Sequence, residues 1–142
     1  MSKQQKEEPG LRYDAGKVRY ELIPSDALRH LAWVYTVGAR KYADHNWAKG
    51  MSWSRVKGSL MRHLEAYWGG ESFDQETGCH HMAMAAWNCF TLLAYSVRGV
   101  GNDDRPGVEA PRPAGVHTIE VDGRAYDVIS SIDVSNMQRK DG

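Results

Sequence analysis

The 142-residue sequence is short of cysteine, of net charge and of long apolar runs. Its two cysteines, Cys79 and Cys89, are too few for a disulfide framework. The first ten residues are polar and show no export signal, so we expect reduced thiols in a cytoplasmic setting. The longest apolar run, residues 82–95, is shorter than the ~20 residues that a bilayer span needs.

The charge balance excludes further classes of protein. Eighteen basic and eighteen acidic residues give no net charge, which argues against a general nucleic-acid coat or a membrane-surface protein. We therefore expect neither a nucleic-acid nor a membrane partner. A single anionic small molecule, bound by a local group of basic side chains, remains compatible with this composition.

Two stretches have the apolar spacing of amphipathic helices. The first predicts a helix over residues 26–42, with Ser25 as its N-cap. The second predicts a helix that begins at Ser52 or Ser54 and ends at the double glycine of residues 69–70.

A third helix is predicted from about Thr77 to Arg98, with Gly99 as its C-terminal stop. It is apolar nearly all round, which is typical of the central element of a bundle. The core is expected to contain Trp33, Trp68 and Trp87.

The chain changes character after the third helix. Two short strand-like runs, residues 116–121 and 124–129, flank Asp122-Gly123, a strong signal for a two-residue hairpin turn. An isolated hairpin is marginal in water, so it should pack on the helices or on a partner chain. The sequence thus predicts a mainly α fold, a helical bundle with a C-terminal β-hairpin. The predicted parts are a helical catalytic domain over residues 11–99, a linker over 100–115 and the hairpin over 116–130.

An acidic and histidine-rich connection joins the second and third helices. Glu71, Asp74 and Glu76 fall within six residues, and His80 and His81 follow them. Carboxylate oxygens suit Mg²⁺ or Mn²⁺, while imidazole shifts the preference toward Mn²⁺, Co²⁺ or Zn²⁺. The pattern predicts a divalent metal site, with the Glu71 and Asp74 pair as its most favoured part.

Helix geometry adds two residues to this site. If the two helices pack antiparallel, His63 and His81 both lie near the acidic turn, and Asn88 projects from the same side as His81. An unpaired buried amide costs roughly 1–3 kcal/mol, so Asn88 should have a partner in the protein or in a ligand. Simpler roles stay open: Glu76 as a helix cap, His63 as a core histidine and His80 as a surface residue.

A second group of residues is basic and aromatic. In the loop of residues 44–47, Trp47 offers an indole to stack on a base and Asn46 an amide to hydrogen-bond its edge. The alternative is ordinary: exposed basic residues, and a tryptophan that anchors a loop. The basic residues that could gather around phosphates are Lys17, Arg19, Lys41 and Arg62.

Three blocks of sequence, GKVRYELIP, GARKYADHNWAKGMSWSR and RHLEAYWGGESFDQETGCHHMAMAAWN, together resemble a known family. It is the N-terminal domain of phage-type dATP/dGTP diphosphohydrolases (MazZ-like), grouped loosely with the all-α MazG/HisE-like nucleotide pyrophosphohydrolases. The resemblance spans about residues 11–95. It implies hydrolysis of dGTP or dATP to the monophosphate and pyrophosphate, with divalent metal ions and a homo-oligomer. In such phages the product supports synthesis of a 2-aminoadenine genome, in the host cytoplasm.

The resemblance also assigns residues. The RH pair matches Arg62-His63, the block of residues 41–47 matches as a whole, and the histidine that follows the acidic run matches His81. Where a second histidine is expected, the chain has Met84. The acidic run itself matches Gly70, Glu71, Asp74, Glu76 and Gly78.

The leading hypothesis is a metal ion bound by Glu71, Asp74 and His81 that activates a water for attack at the α-phosphorus. Glu76 and His63 are the further catalytic candidates, because a free carboxylate or His63 would take the proton. The basic group would neutralise the triphosphate, and Asn46, Trp47 and Asn88 complete the expected substrate contacts. Mg²⁺ and Mn²⁺ are the expected cofactors, with Co²⁺ as a third option.

Two rival functions stay open at the level of sequence. One is a triphosphohydrolase of the histidine-aspartate metal type, although its adjacent His-Asp pair is missing and Asp44-His45 has the reverse order. The other is a non-catalytic nucleotide-binding module that docks through the hairpin. A structural subunit without a ligand would leave Asn88 and the acidic turn unexplained.

Overall fold

The computed structural model describes residues 8–13, 17–107, 109–121 and 123–129. The elements within these ranges confirm the mainly α fold and the C-terminal antiparallel hairpin. In chain order they are a 3₁₀ turn (Tyr20–Leu22), α1 (Ser25–Lys41), a second 3₁₀ turn (Asn46–Lys49), α2 (Trp53–Trp68), α3 (His81–Arg98), β1 (Val116–Val121) and β2 (Arg124–Ile129).

Helix α3 is the central element of the fold, as its apolar character predicts. It packs against α1, α2 and β2. Ser59 contacts Asn88 and His63 contacts His81, so rising numbers along α2 meet falling numbers along α3. The two helices therefore run antiparallel, which confirms the arrangement on which the predicted site depends.

The start of α3 was predicted wrongly. The helix begins at His81 rather than at Thr77, because the preceding residues fold into a compact turn closed by its own hydrogen bonds. The Asp74 amide donates to the Cys79 carbonyl oxygen at 2.8 Å. His80 is the N-cap, and its Nδ1 accepts from the Met82 amide at 3.0 Å.

The ends of α1 and α2 follow the sequence more closely. Ser25 is the first residue of α1 rather than its N-cap, because Pro24 holds the extended conformation that precedes the helix. In α2 the predicted boundaries are confirmed: Ser52 is the N-cap and Gly69 the C-cap.

One cluster of the core is built from small side chains. Val34, Cys79 and Ala83 are buried together, and Trp87 packs against them as predicted. The expectation of a core position is wrong for Trp33 and Trp68, whose exposed fractions are 47% and 86%. Each lies on the outer face of its helix, and the Arg40 guanidinium lies over the Trp33 ring at 5.3 Å.

The hairpin has the predicted strands. β1 pairs with β2 from Val116↔Ile129 to Val121↔Arg124. Gly123 has a φ of +74°, which a hairpin turn of the predicted kind requires, whereas Asp122 lies outside the described residues. Because β2 packs on α3, the hairpin is not isolated within this chain.

The first part of the predicted linker lies against the beginning of α2. The Trp53 amide donates to the Asn102 carbonyl at 3.0 Å, and the Trp53 indole donates to the Val100 carbonyl at 2.9 Å. The hydroxyl of Ser54 bonds to the carboxylate of Asp104.

Among the helices of the described ranges, none has the length and apolar character of a membrane span.

Candidate metal centre and ligand cavity

Three of the predicted ligand residues converge at the beginning of α3. Glu71, Asp74 and His81 each contribute one ligand atom, and these atoms all lie within 4.8 Å of one another. His81 is buried, with 3% of its surface exposed, whereas the Glu71 side chain is 43% exposed. The His81 Nε2 atom lies 2.9 Å from Glu71 Oε1. The group is therefore fixed in the protein interior at His81 and open to solvent at Glu71.

The turn before α3 holds Asp74 in position. Its Oδ2 accepts hydrogen bonds from the Thr77 amide at 3.0 Å and from the Thr77 hydroxyl at 2.7 Å. These bonds, the one from the hydroxyl above all, lower the pKa of Asp74 below its usual value. The carboxylate is consequently ionised at neutral pH, which is the form that binds a metal ion.

His63 forms a second layer beneath His81. Their Nδ1 atoms are 2.9 Å apart, so one ring donates a hydrogen bond through its N–H group and the other accepts it. Burial lowers the pKa of His63, and the neighbouring His81 lowers it further. His63 is therefore neutral at pH 7, as an acceptor of protons has to be.

A cavity of about 810 Å³ lies beside this centre, within the size range of small-molecule sites. It runs between the three helices and the loop of residues 43–47. Of the predicted substrate-binding residues, it is lined by Asn46, Trp47, Arg62 and Asn88. The metal group and His63 do not line the cavity themselves. The two sites are connected along α2 and α3, where Ser59 contacts Asn88 in the cavity lining and His63 contacts His81 in the centre.

Asn88 has an uneven set of partners. Its Nδ2 donates to the Met84 carbonyl at 2.9 Å and to Ser59 Oγ at 3.3 Å. Its Oδ1 has no hydrogen-bond partner among the described residues, although only 2% of the residue is exposed. The predicted need for a partner is thus met at the nitrogen and not at the oxygen.

Trp47 is anchored as well as placed at the cavity. The buried Tyr95 hydroxyl donates to its carbonyl oxygen at 2.5 Å. The Arg98 guanidinium lies 5.2 Å from the centre of the indole ring, and the Tyr35 ring meets the indole edge to face at 6.1 Å. The indole is therefore partly occupied by protein contacts, in agreement with the simpler role of a loop anchor.

Four predicted residues lie away from the centre. Lys17 and Arg19 are exposed and do not line the cavity, and Arg19 pairs with Glu21 at 2.8 Å. Lys41 lies 3.9 Å from Glu76 on the surface, where Glu76 is outside the three-residue group.

Two polar cavity residues on α2 were missed in the sequence. Arg55 and Ser59 line it together with Arg62. Their positions i, i+4 and i+7 place them on one face of α2, and this spacing could have revealed them. The aromatic lining of the cavity comes from Tyr35, Tyr42, Trp47 and Trp87.

The chain is similar to known proteins over more than half of its length. The family described as dATP/dGTP diphosphohydrolase, N-terminal, matches residues 7–105. A dATP/dGTP diphosphohydrolase of Salmonella phage PMBT28 is 30% identical over 109 residues, which cover 72% of this chain and 37% of that protein. The chain therefore matches little more than a third of the length of this relative. No solved structure matches the chain significantly.

Proposed function

We propose a function from one premise: the chain belongs to the dATP/dGTP diphosphohydrolase N-terminal family. Its helical domain hydrolyses a deoxynucleoside triphosphate, dGTP or dATP, to the monophosphate and pyrophosphate. The observation that carries this proposal is that the same pair of helices, α2 and α3, positions both the Glu71, Asp74 and His81 group and one side of the cavity. A nucleoside in the cavity would extend its phosphates toward that group.

The donor set fits a divalent metal ion. Two carboxylates and one imidazole suit Mn²⁺ or Mg²⁺, with Co²⁺ as a further option. Bound there, such an ion would offset the charge of the phosphate oxygens and lower the pKa of a bound water. The ionised state of Asp74 and the buried position of His81 support this assignment, since both side chains would need little reorganisation.

The histidine pair has a role in orienting the ligands. If His81 Nε2 faces a metal ion, its Nδ1 carries the proton and donates to His63 Nδ1. That hydrogen bond fixes the ring of His81 and makes it a better ligand. His63 is then the positioning residue of the centre, and its low pKa keeps it in the neutral form that this hydrogen bond requires.

The reaction needs a proton acceptor and a cradle for the phosphates. Water attacks the α-phosphorus, the bond to the bridging oxygen breaks and pyrophosphate leaves, while the water proton passes to a neighbouring base. Glu71 is the exposed carboxylate of the group, and its oxygen that is not bound to the metal ion would be suited to this role. Arg62 and Arg55, which have no ion pair within the described ranges, neutralise the triphosphate from the α2 side.

The wider role follows the resemblance. We propose that the enzyme acts in phage nucleotide metabolism, in the host cytoplasm, and supplies a monophosphate for a 2-aminoadenine genome.

We also propose a homo-oligomer, supported by large apolar side chains that α3 and α2 leave exposed, among them Phe90, Leu93 and Trp68. A monomer in sedimentation equilibrium at working concentration would contradict the oligomer.

The test is a nucleotide panel with product identification. Purified protein is incubated with dGTP and dATP, with Mn²⁺ or Mg²⁺, and with or without EDTA. We expect pyrophosphate and the monophosphate, loss of turnover in EDTA, and a loss of about 10²-fold or more in Asp74→Ala. Asp103→Ala is the matched control, since Asp103 pairs with Arg105 outside the site.

Each rival gives a different result in the same assay. Release of triphosphate would favour the histidine-aspartate type of triphosphohydrolase. Nucleotide binding without turnover, unaffected by EDTA, would favour the binding module. Equal pyrophosphate release by wild type and Asp74→Ala would defeat the assignment of the site.

A further inference from the structure

The side chain of Asn88 presents its oxygen, and not its nitrogen, as the free end. Nδ2 lies 2.9 Å from the Met84 carbonyl oxygen, which can only accept hydrogen bonds. Rotating the amide by half a turn would bring two oxygens together at that distance. The hydrogen-bond network therefore fixes the orientation, and Oδ1 is left as an acceptor without a donor among the described residues.

Leaving this oxygen unpaired carries a cost. A buried acceptor without a partner destabilises a protein by roughly 1–3 kcal/mol. The atom is closed from solvent, so bulk water does not satisfy it. Arg55 and Arg62 are exposed and line the same cavity as Asn88. Changes of side-chain rotamer commonly accompany ligand binding. For a ligand in the cavity to reach Oδ1, the side chains that line the cavity have to rotate.

We infer that Asn88 is a specificity-determining residue whose Oδ1 accepts a hydrogen bond from a donor on the nucleoside of the substrate. This inference rests on the proposed function. The donor is either an amino or ring N–H group of the base or the 3′-hydroxyl of the sugar. Phosphate is unsuited to the position, because ionised phosphate oxygens are themselves acceptors and would meet Oδ1 oxygen to oxygen.

The position of Asn88 fits a nucleoside. It lies seven residues beyond His81 on α3, which corresponds to roughly 10 Å along the helix axis. A nucleotide with its α-phosphate at the metal centre would bring its sugar and base to this depth. The neighbouring cavity lining includes Val56 and Trp87, which suit a base or a sugar better than a charged group.

The test compares nucleotides that differ by one donor. kcat/KM is measured for the better of dATP and dGTP, for purine 2′-deoxyriboside triphosphate, which has no amino or ring N–H donor, and for the 2′,3′-dideoxy analogue, which has no 3′-hydroxyl. We expect wild type to use one of the two analogues at least about tenfold less well. The ratio of kcat/KM for the natural nucleotide to kcat/KM for that analogue should approach one in Asn88→Ala. It should be unchanged in Cys89→Ala, which alters the exposed neighbour on α3.

The ratio is measured within one protein, so partial unfolding of a variant does not affect it. If Asn88→Ala is inactive, dissociation constants from tryptophan fluorescence give the same ratios, with Ca²⁺ in place of the catalytic metal; Trp47 and Trp87 line the cavity. The analogue that is discriminated identifies the donor as base or sugar.

Two results would overturn the inference. The inference would be refuted if wild type used both analogues as well as the natural nucleotide. It would also be refuted if the ratio of kcat/KM between the natural nucleotide and the discriminated analogue were the same in Asn88→Ala as in wild type. Either result would leave the proposed function standing. Failure of wild type to hydrolyse either dATP or dGTP would refute the proposed function and the inference with it.

Discussion

The hydroxyl of Thr77 lies at the centre of the hydrogen bonds that support the candidate metal centre. It donates to Asp74 Oδ2 and accepts from the Cys79 amide at 3.2 Å. It also lies 3.6 Å from Met84 Sδ, at the position where the resemblance led us to expect a histidine. One small side chain thus connects a candidate ligand, the core and the first turn of α3.

Replacing this hydroxyl should produce a pH-dependent loss of stability. The lowered pKa of Asp74 means that its ionised form stabilises the fold above the usual value of 3.8, and that this contribution is lost as pH falls through the lowered pKa. Thr77→Val removes the largest cause of the shift. We expect it to lower the free energy of unfolding by about 1 kcal/mol at neutral pH in EDTA, and by less once Asp74 is protonated.

Urea unfolding at a series of pH values measures this effect. Thr36→Val is the matched control, because the Thr36 hydroxyl donates to the Ala32 carbonyl on the exposed side of α1, and no carboxylate is among its hydrogen-bond partners in the described residues. Its cost should not depend on pH between neutral and acidic conditions. A cost for Thr77→Val that is equally independent of pH would contradict the role given to the hydroxyl.

At the scale of elements, the segment after α3 closes the fold by returning to the beginning of α2. Asn102 exchanges backbone hydrogen bonds with residues 51–53, at 3.1 Å from its amide and 3.0 Å to its carbonyl. Gly101 makes this close approach possible, since it has a φ of +78° and a Cβ there would lie 2.5 Å from the Met51 carbonyl oxygen. The joint holds the end of α2 that carries Arg55.

A pair of glycine substitutions separates the energetic cost of the left-handed backbone conformation from the cost of steric contact with a new Cβ. Gly99 has a similar φ of +66°, but a Cβ there would meet nothing within 4 Å. Gly99→Ala should therefore cost about 1–2 kcal/mol for the left-handed conformation alone. Gly101→Ala should cost at least about 2 kcal/mol more, because backbone atoms have to move as well. Denaturant unfolding measures both, and equal costs would show that the joint is not tightly packed.

Local signals explain which elements could be predicted. The three helices and the hairpin followed from spacing and turn residues that lie within each element. The start of α3 did not, because the turn formed by Asp74, Cys79 and their neighbours outcompetes an earlier helix start at Thr77. Trp68 was placed in the core on its residue type alone, and its position on the outer face of α2 overrides that preference.

At the scale of the whole molecule, the site combines a local part with a non-local part. Glu71, Asp74 and His81 are close in sequence, so their grouping could be predicted before any fold was known. The cavity joins α1, α2 and α3, and its lining by Arg55 depends on how the helices pack. Sequence therefore suggested the chemistry of the centre and only part of the residues that surround it.

The dependence of the cavity on helix packing also explains why only some of the predicted basic residues line it. Arg62 lines the cavity because α2 carries it beside His63, whereas Lys17 lies in the exposed arm before α1. A positive charge in the sequence has no preferred partner until packing supplies one. Which basic residues line the cavity therefore depends on the fold.

The central claim is that Glu71, Asp74 and His81 bind the metal ion on which hydrolysis depends. Mn²⁺ titration of the purified protein, followed by electron paramagnetic resonance of the free ion, measures this without relying on turnover. We expect saturable binding by wild type, a loss of at least about tenfold in affinity for Asp74→Asn, and little change for the exposed Glu76→Gln. Circular dichroism confirms that the variants are folded. No saturable binding by wild type, or an equal loss in the two variants, would contradict the account.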